Sequence, residues 1–216
     1  DDHAVRVAIV TGAGEKSFSP GNDIPEFETE RSHREQAIAY GHIMHETARA
    51  IADCRHPTLA QIHGICVGGG LEIAALCDMR ICGESSRFGA PIKNLGLVMA
   101  FPEMDPLIRL AGPSVALEIL YEGRIFDAAE AKDKRLVNRV VADDRVADEC
   151  RETARRIADG APLVARWHKK FARKLMSGQP LTEQEYLECF DCFDTEDFRI
   201  GYKAFLAKAK PEFVGH

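Results

Sequence analysis

Gly68-Gly69-Gly70-Leu71-Glu72 combines two things needed to handle a reacting carbonyl: accessible backbone donors and a carboxylate. Three glycines let the main chain take unusual conformations and let a ligand approach it closely. The first N–H groups of a helix have no intrahelical acceptor and lie at the positive end of its dipole. A turn of this kind can bind an anion, or an oxygen that becomes one during reaction. Glu72 falls in the first helical turn, within reach of the same point, where it could move a proton. As a purely structural residue it would stabilise the helix start by ~0.3–1 kcal/mol. Phe18-Ser19-Pro20-Gly21-Asn22-Asp23-Ile24 supplies another glycine turn, and taken alone Gly21 reads as an ordinary turn residue.

These segments need elements to hold them. The apolar stretch before Gly68 predicts a strand that runs to Gly64, and Leu71, Ala74 and Ala75 predict the helix that follows. Ala4 to Val10 reads as a buried parallel strand, Asp78 to Cys82 as a third and Leu136 to Ala142 as a fourth. A helix is expected from Arg34 to Asp53, with Tyr40, Ile43, Met44, Thr47, Ala50 and Ile51 on one face; His56-Pro57 follows as a breaker. Residues 25–33 read as a mobile polar loop and Phe88 to Val98 as irregular. Pro113 to Leu120 reads as helical, and Asp127 as the cap of a short helix. From Asp143 onward the pattern is helical. Pro162 opens a helix whose stripe is Leu163, Trp167, Phe171 and Leu175. Alternating strands and helices imply an α/β core over 1–142, with a helical region over 143–216.

The chain has 216 residues, 45% of them hydrophobic, enough for a sizeable core. A formal charge of −6 argues against a nucleic-acid surface. No apolar run approaches the ~20 residues of a membrane helix, and no secretory signal is visible. Seven dispersed cysteines predict a reduced, cytoplasmic protein. Cys189 and Cys192 have C-x-x-C spacing but no second pair, so they read as one helical face. His42 and His45 share a helix face without a third ligand, so no metal is assigned. Opening on an apolar run after Asp1-Asp2-His3 predicts that a preceding segment is missing.

Four segments together resemble the crotonase superfamily, the enoyl-CoA hydratase and isomerase family. They are Phe18 to Ile24, His63 to Glu72, Cys77 to Ile81, and Phe205 to Phe213. The resemblance covers essentially the whole chain. It implies a spiral of ββα turns with a C-terminal helical region, and homotrimers or dimers of trimers. It implies that an acyl-CoA thioester carbonyl sits between two backbone N–H groups that stabilise an enolate. By position these belong to Asn22 and Gly69, with Asp23, Ile24 and Gly68 as substrate-binding neighbours. Glu72 matches the first catalytic glutamate of the hydratases. Phe205 and Lys208 match the residues around the nucleotide end of CoA, often supplied by a neighbouring subunit. Coenzyme A enters as part of the substrate; no separate cofactor, nucleic acid or membrane is implied.

The sequence departs from the family at a decisive point. Ile92, after Pro91, stands where hydratases carry a second glutamate. The glycine-rich stretch beyond is replaced by Val98-Met99-Ala100-Phe101-Pro102-Glu103-Met104-Asp105-Pro106. Glu103 or Asp105 could supply a second carboxylate if that loop folds inward; otherwise both are solvated charges. Arg135 stands where a helix-ending glycine is usual, at a cost of ~1 kcal/mol if it is left-handed. These departures leave several readings: a hydratase, an enoyl-CoA isomerase, an acyl-CoA decarboxylase, or a non-catalytic acyl-CoA- or RNA-binding member of the fold.

Overall fold

A computed structural model describes residues 4–216; Asp1-Asp2-His3 lies outside the described residues. The strands are β1 (Ala8–Thr11), β2 (Ser17–Ser19), β3 (Thr58–Ile62), β4 (Ile65–Val67), β5 (Met79–Gly83), β6 (Arg87–Gly89), β7 (Phe126–Asp127) and β8 (Arg139–Val141). The helices are α1 (Phe27–Glu30), α2 (Arg34–Ala52), α3 (Gly69–Leu76), α4 (Phe101–Ala111), α5 (Pro113–Glu122), α6 (Ala128–Asp133), α7 (Val146–Ala158), α8 (Pro162–Met176), α9 (Glu183–Leu187) and α10 (Glu196–Ala207). By compactness the chain divides into two units. The larger comprises Ile9–Cys54 and Thr58–Cys150; the other comprises, among the described residues, 4–8, Arg55–Pro57 and Arg151–His216. The chain passes between them after Ala8, after Cys54, after Pro57 and, within α7, after Cys150.

The larger unit contains two four-stranded sheets, ordered β1-β3-β5-β8 and β2-β4-β6-β7. The expected strands form the first sheet, with β3–β5 and β5–β8 parallel, but the first begins at Ala8 and not Ala4, and none of the residues from Ala4 to Val10 is buried: Val5 and Ile9 are both exposed. The second sheet was not read from the residues. The strand expected to end at Gly64 is followed at once by another, because Gly64 turns the chain at φ 54°. A Cβ there would stand 2.0 Å from the Lys16 carbonyl oxygen, so only glycine fits. β4 then pairs in parallel with β2 and β6, and β6 pairs antiparallel with β7. Phe88 stacks on Phe126 across that last pair, with centroids 6.2 Å apart. Phe18, Ile62, Cys66, Leu71, Phe88, Leu107 and Leu136 belong to one buried cluster.

Buried Arg80 ties α3 down. Its guanidinium donates to the carbonyls of Ala74 and Cys77, at the end of α3, and of Leu136. A positive charge at a helix C-terminus meets the negative end of the dipole, and burial draws its pKa below the usual arginine value.

Two helical expectations need correction. In α2, Ile43 is 66% exposed, and Thr47 and Ala50 are exposed too. The covered side is Tyr40, Met44, His45, Ala48 and Ile51, a face rotated from the expected one. In α8, Leu163, Trp167 and Phe171 are half-buried but Leu175 is exposed. Residues 25–33, expected as a loop, contain a 3-10 turn and α1. Asp127 caps α6 as expected, accepting from the Glu130 N–H at 2.9 Å.

Arg135 is left-handed, at φ 61°, just beyond α6, where the Leu136 N–H closes back on the Ala131 carbonyl. Arg135→Gly is expected to stabilise the protein by ~0.5–1 kcal/mol, raising Tm by about 1–4 °C. Gly64→Ala, which meets a carbonyl and a positive φ together, should lower Tm by more than that gain. Thermal unfolding of both variants checks the pair; an unchanged or lower Tm for Arg135→Gly would remove the strain argument.

Candidate active site

Two glycine turns press together without a side chain between them. Gly21 is at φ 103°, and Gly68, the N-cap of α3, is at φ 55°. A Cβ on Gly21 would lie 3.1 Å from the Val67 carbonyl oxygen and 3.5 Å from the Gly69 nitrogen. A Cβ on Gly70 would lie 2.3 Å from the Ser19 carbonyl oxygen. Three neighbouring donors are occupied. Gly68 N–H donates to the Gly89 carbonyl at 2.9 Å, Glu72 N–H to the Gly68 carbonyl at 3.1 Å, and Gly21 N–H to Ser19 Oγ at 3.2 Å. Among the described residues, the N–H groups of Asn22 and Gly69 donate to nothing. Two unclaimed backbone donors on abutting turns are what an oxyanion site requires.

Glu72 lies beside them. The position a Gly69 Cβ would take is 3.8 Å from Glu72 Oε2 and 3.2 Å from Asn22 Oδ1. Burial pushes the Glu72 carboxyl up to about 7; the nearby charge of Glu103 adds to the rise and that of Arg31 opposes it. Its place at a helix N-terminus favours ionisation, but loss of solvent outweighs that. A carboxyl that titrates near neutrality can both take and return a proton.

The segment expected to be a rebuilt loop is helical. Pro102 sits in the first positions of α4, and Glu103 closes a capping interaction, its Oε2 accepting from the Ala100 N–H at 3.0 Å. That cap fixes Glu103 in electrostatic reach of Glu72, with Oε1 4.0 Å from His45 Nε2. Asp105 is exposed and paired with Arg109 at 2.7 Å. Ile92 lies in the 3-10 turn Pro91–Leu95 and packs half-buried against the main core cluster.

Asp23 and Ile24 are exposed at the start of the 3-10 turn Ile24–Glu26. In the other unit, Phe205 is 83% exposed on α10, and Lys208 forms its left-handed C-cap at φ 54°. Arg31 and His45 are the neighbours of the carboxylates that the residues alone did not reveal. His45 carries no sequence signal for Glu103, which lies on another helix, and Arg31 falls in a segment that reads as a polar loop. Among the described residues, no cluster of three or more His, Cys, Asp or Glu could hold a metal ion. No helix of the described residues is long and apolar enough to cross a membrane.

Residues 1–216 match the family described as enoyl-CoA hydratase/isomerase. A crotonyl-CoA hydratase of Syntrophomonas wolfei is 35% identical over 99% of this chain and 82% of its own length. A short-chain-enoyl-CoA hydratase of Clostridium acetobutylicum is 33% identical over 98% of this chain and 81% of its own. A solved structure of an enoyl-CoA hydratase/carnithine racemase from Magnetospirillum magneticum superposes with TM-score 0.98 at 50% identity. It covers 100% of this chain and 80% of its own.

The raised pKa of Glu72 has a thermodynamic signature. The unfolded carboxyl ionises near its model value of 4.5, whereas the folded one stays protonated up to about 7. Stability linked to this group is therefore complete below 4.5 and lost as pH rises to about 7. Glu72→Gln does not ionise, so its stability relative to the native chain should grow across that window by about 1–3 kcal/mol. Urea unfolding of both proteins from pH 4 to 8 measures this; a flat difference would mean that Glu72 titrates as an exposed carboxylate.

Proposed function

We propose that this chain, which belongs to the enoyl-CoA hydratase/isomerase family and is an acyl-CoA enzyme of that type, moves protons on a thioester enolate with Glu72 and Glu103. The observation that carries the reading is the pair of unclaimed N–H groups, Asn22 and Gly69, on turns that abut beside Glu72. The thioester oxygen accepts from both donors. Glu72 removes a proton from carbon, and negative charge builds on the oxygen where the donors are already fixed. Such a donor is worth about 3 kcal/mol in the transition state, because no solvent has to reorganise.

Ile92 leaves an apolar side chain where the family's hydratases hold their second glutamate. Glu103 offers a replacement from another element, with its backbone anchor at Ala100 and His45 alongside. Transfer of a proton between two carbons of one enolate needs no attacking water. Enoyl-CoA isomerisation, or another enolate reaction such as decarboxylation, therefore fits these residues better than hydration does. Hydration is the second reading, favoured by the hydratases among the relatives.

No cofactor beyond the coenzyme A of the substrate is required by this scheme. We also propose a homotrimer or dimer of trimers. Val98 is 87% exposed and Phe101 89% exposed in the larger unit, a degree of apolar exposure that suits subunit contact. Phe205 and Lys208 would then meet the nucleotide end of coenzyme A, with lysine serving as a mobile point charge for phosphate.

Assays with 2-enoyl- and 3-enoyl-CoA substrates test the reaction. Glu72→Gln should lower turnover by about 10²–10⁴-fold with little change in CoA affinity. Gly69→Pro, which deletes one donor, should lower it by about 10²–10³-fold. Hydration of crotonyl-CoA should be weak in the native chain and should rise in Ile92→Glu. Fast native hydration that survives Glu72→Gln would sink the scheme.

A further inference from the structure

Arg31 is an arginine held in place but left without an anion. It lies between α1 and α2, and its guanidinium carbon sits 4.5 Å from the ring centroids of both Phe27 and Tyr40. Two aromatic faces satisfy the flat surface of a guanidinium and leave its edge as the binding side. Along that edge, Nη1 is shielded from solvent and has no acceptor among the described residues. Glu26, Glu28 and Glu30 all precede it, yet all are exposed and none pairs with it. Its charge nevertheless reaches Glu72 without forming an ion pair there. A buried charged donor left unpaired is costly, and a ligand that supplies the acceptor recovers the loss.

We propose that Arg31 selects acyl-CoA thioesters whose acyl chain ends in a second carboxylate, binding that carboxylate through the guanidinium edge that Phe27 and Tyr40 hold in place. This rests on the acyl-CoA reading, because it takes the thioester to lie at Asn22 and Gly69 with its α-carbon at Glu72. The acyl chain then starts beside Glu72, the group whose surroundings include Arg31. Carboxylate and guanidinium match as paired planar forks, a geometry lysine cannot reproduce. A methyl-terminated chain would instead set an apolar end against an unpaired charge.

Calorimetric titration with unreactive saturated thioesters tests this separately from turnover. Succinyl-, glutaryl- and adipyl-CoA each differ from butyryl-, pentanoyl- and hexanoyl-CoA only by carboxylate in place of the end methyl. In the native protein at least one carboxylated member should bind about tenfold or more tighter than its methyl partner. Arg31→Gln should abolish that ratio, and Arg31→Lys should retain only part of it. Equal or tighter binding of the methyl series at all three lengths overturns the proposal, as does a ratio unchanged in Arg31→Gln. If both series bind alike, the acyl-CoA reading survives and the selection by Arg31 falls. If neither binds, both fall.

Discussion

The contact between two backbones, at Gly21 and at Gly68 to Gly70, is the constraint around which the larger unit is organised. No side chain fits there: a single methyl on Gly70 would collide with the Ser19 carbonyl, and one on Gly21 would crowd Val67. The close approach makes β2 and β4 neighbours and starts α3 at the same point. It also decides which donors remain free. Gly68 and Gly21 spend their N–H groups on holding the turns, and the residue after each is left unclaimed. Architecture and chemistry therefore draw on consecutive amides of the same segments.

Much of this was legible in the sequence, for identifiable reasons. The first sheet's strands are apolar runs bounded by breakers, so β3, β5 and β8 stood out. The second sheet did not, because its strands are two or three residues long; β2 and β6 carry serine, arginine and glycine around a single phenylalanine, and β4 continues the apolar run of β3 beyond Gly64. α4 was hidden by Pro102 and Pro106. One proline occupies a position where its absent N–H has no partner to lose; the other leaves only the Pro102 carbonyl without its intrahelical donor. The covered face of α2 differs from the apolar stripe in its sequence because Ile43, apolar by type, faces solvent.

The site followed the same division. The unclaimed N–H groups of Asn22 and Gly69 were within reach of the motif, since their exposure depends on turn shape and not on side chains. Glu103 could only be offered beside Asp105, because the choice between them depends on where α4 begins. The cap at Ala100 fixes Glu103 where its charge is felt by Glu72, and the Arg109 pair holds Asp105 in solvent. Arg31 owes its setting to Phe27 and Tyr40, which lie on different helices. No spacing rule within one element could have revealed it.

Arg80 has a consequence for how such a protein changes over generations. The segment Cys77 to Ile81 helped mark the chain's kinship, yet its guanidinium donates to carbonyls at the far end of α3 and at Leu136. The signature thus records how a helix is moored, not what reaction its front end performs. The residues at 31, 92 and 103 lie on other elements and can vary while the mooring stays. A substitution at any of these three positions would leave the hydrogen bonds of Arg80 in place, so the mooring of α3 and the fittings around Glu72 can be altered separately.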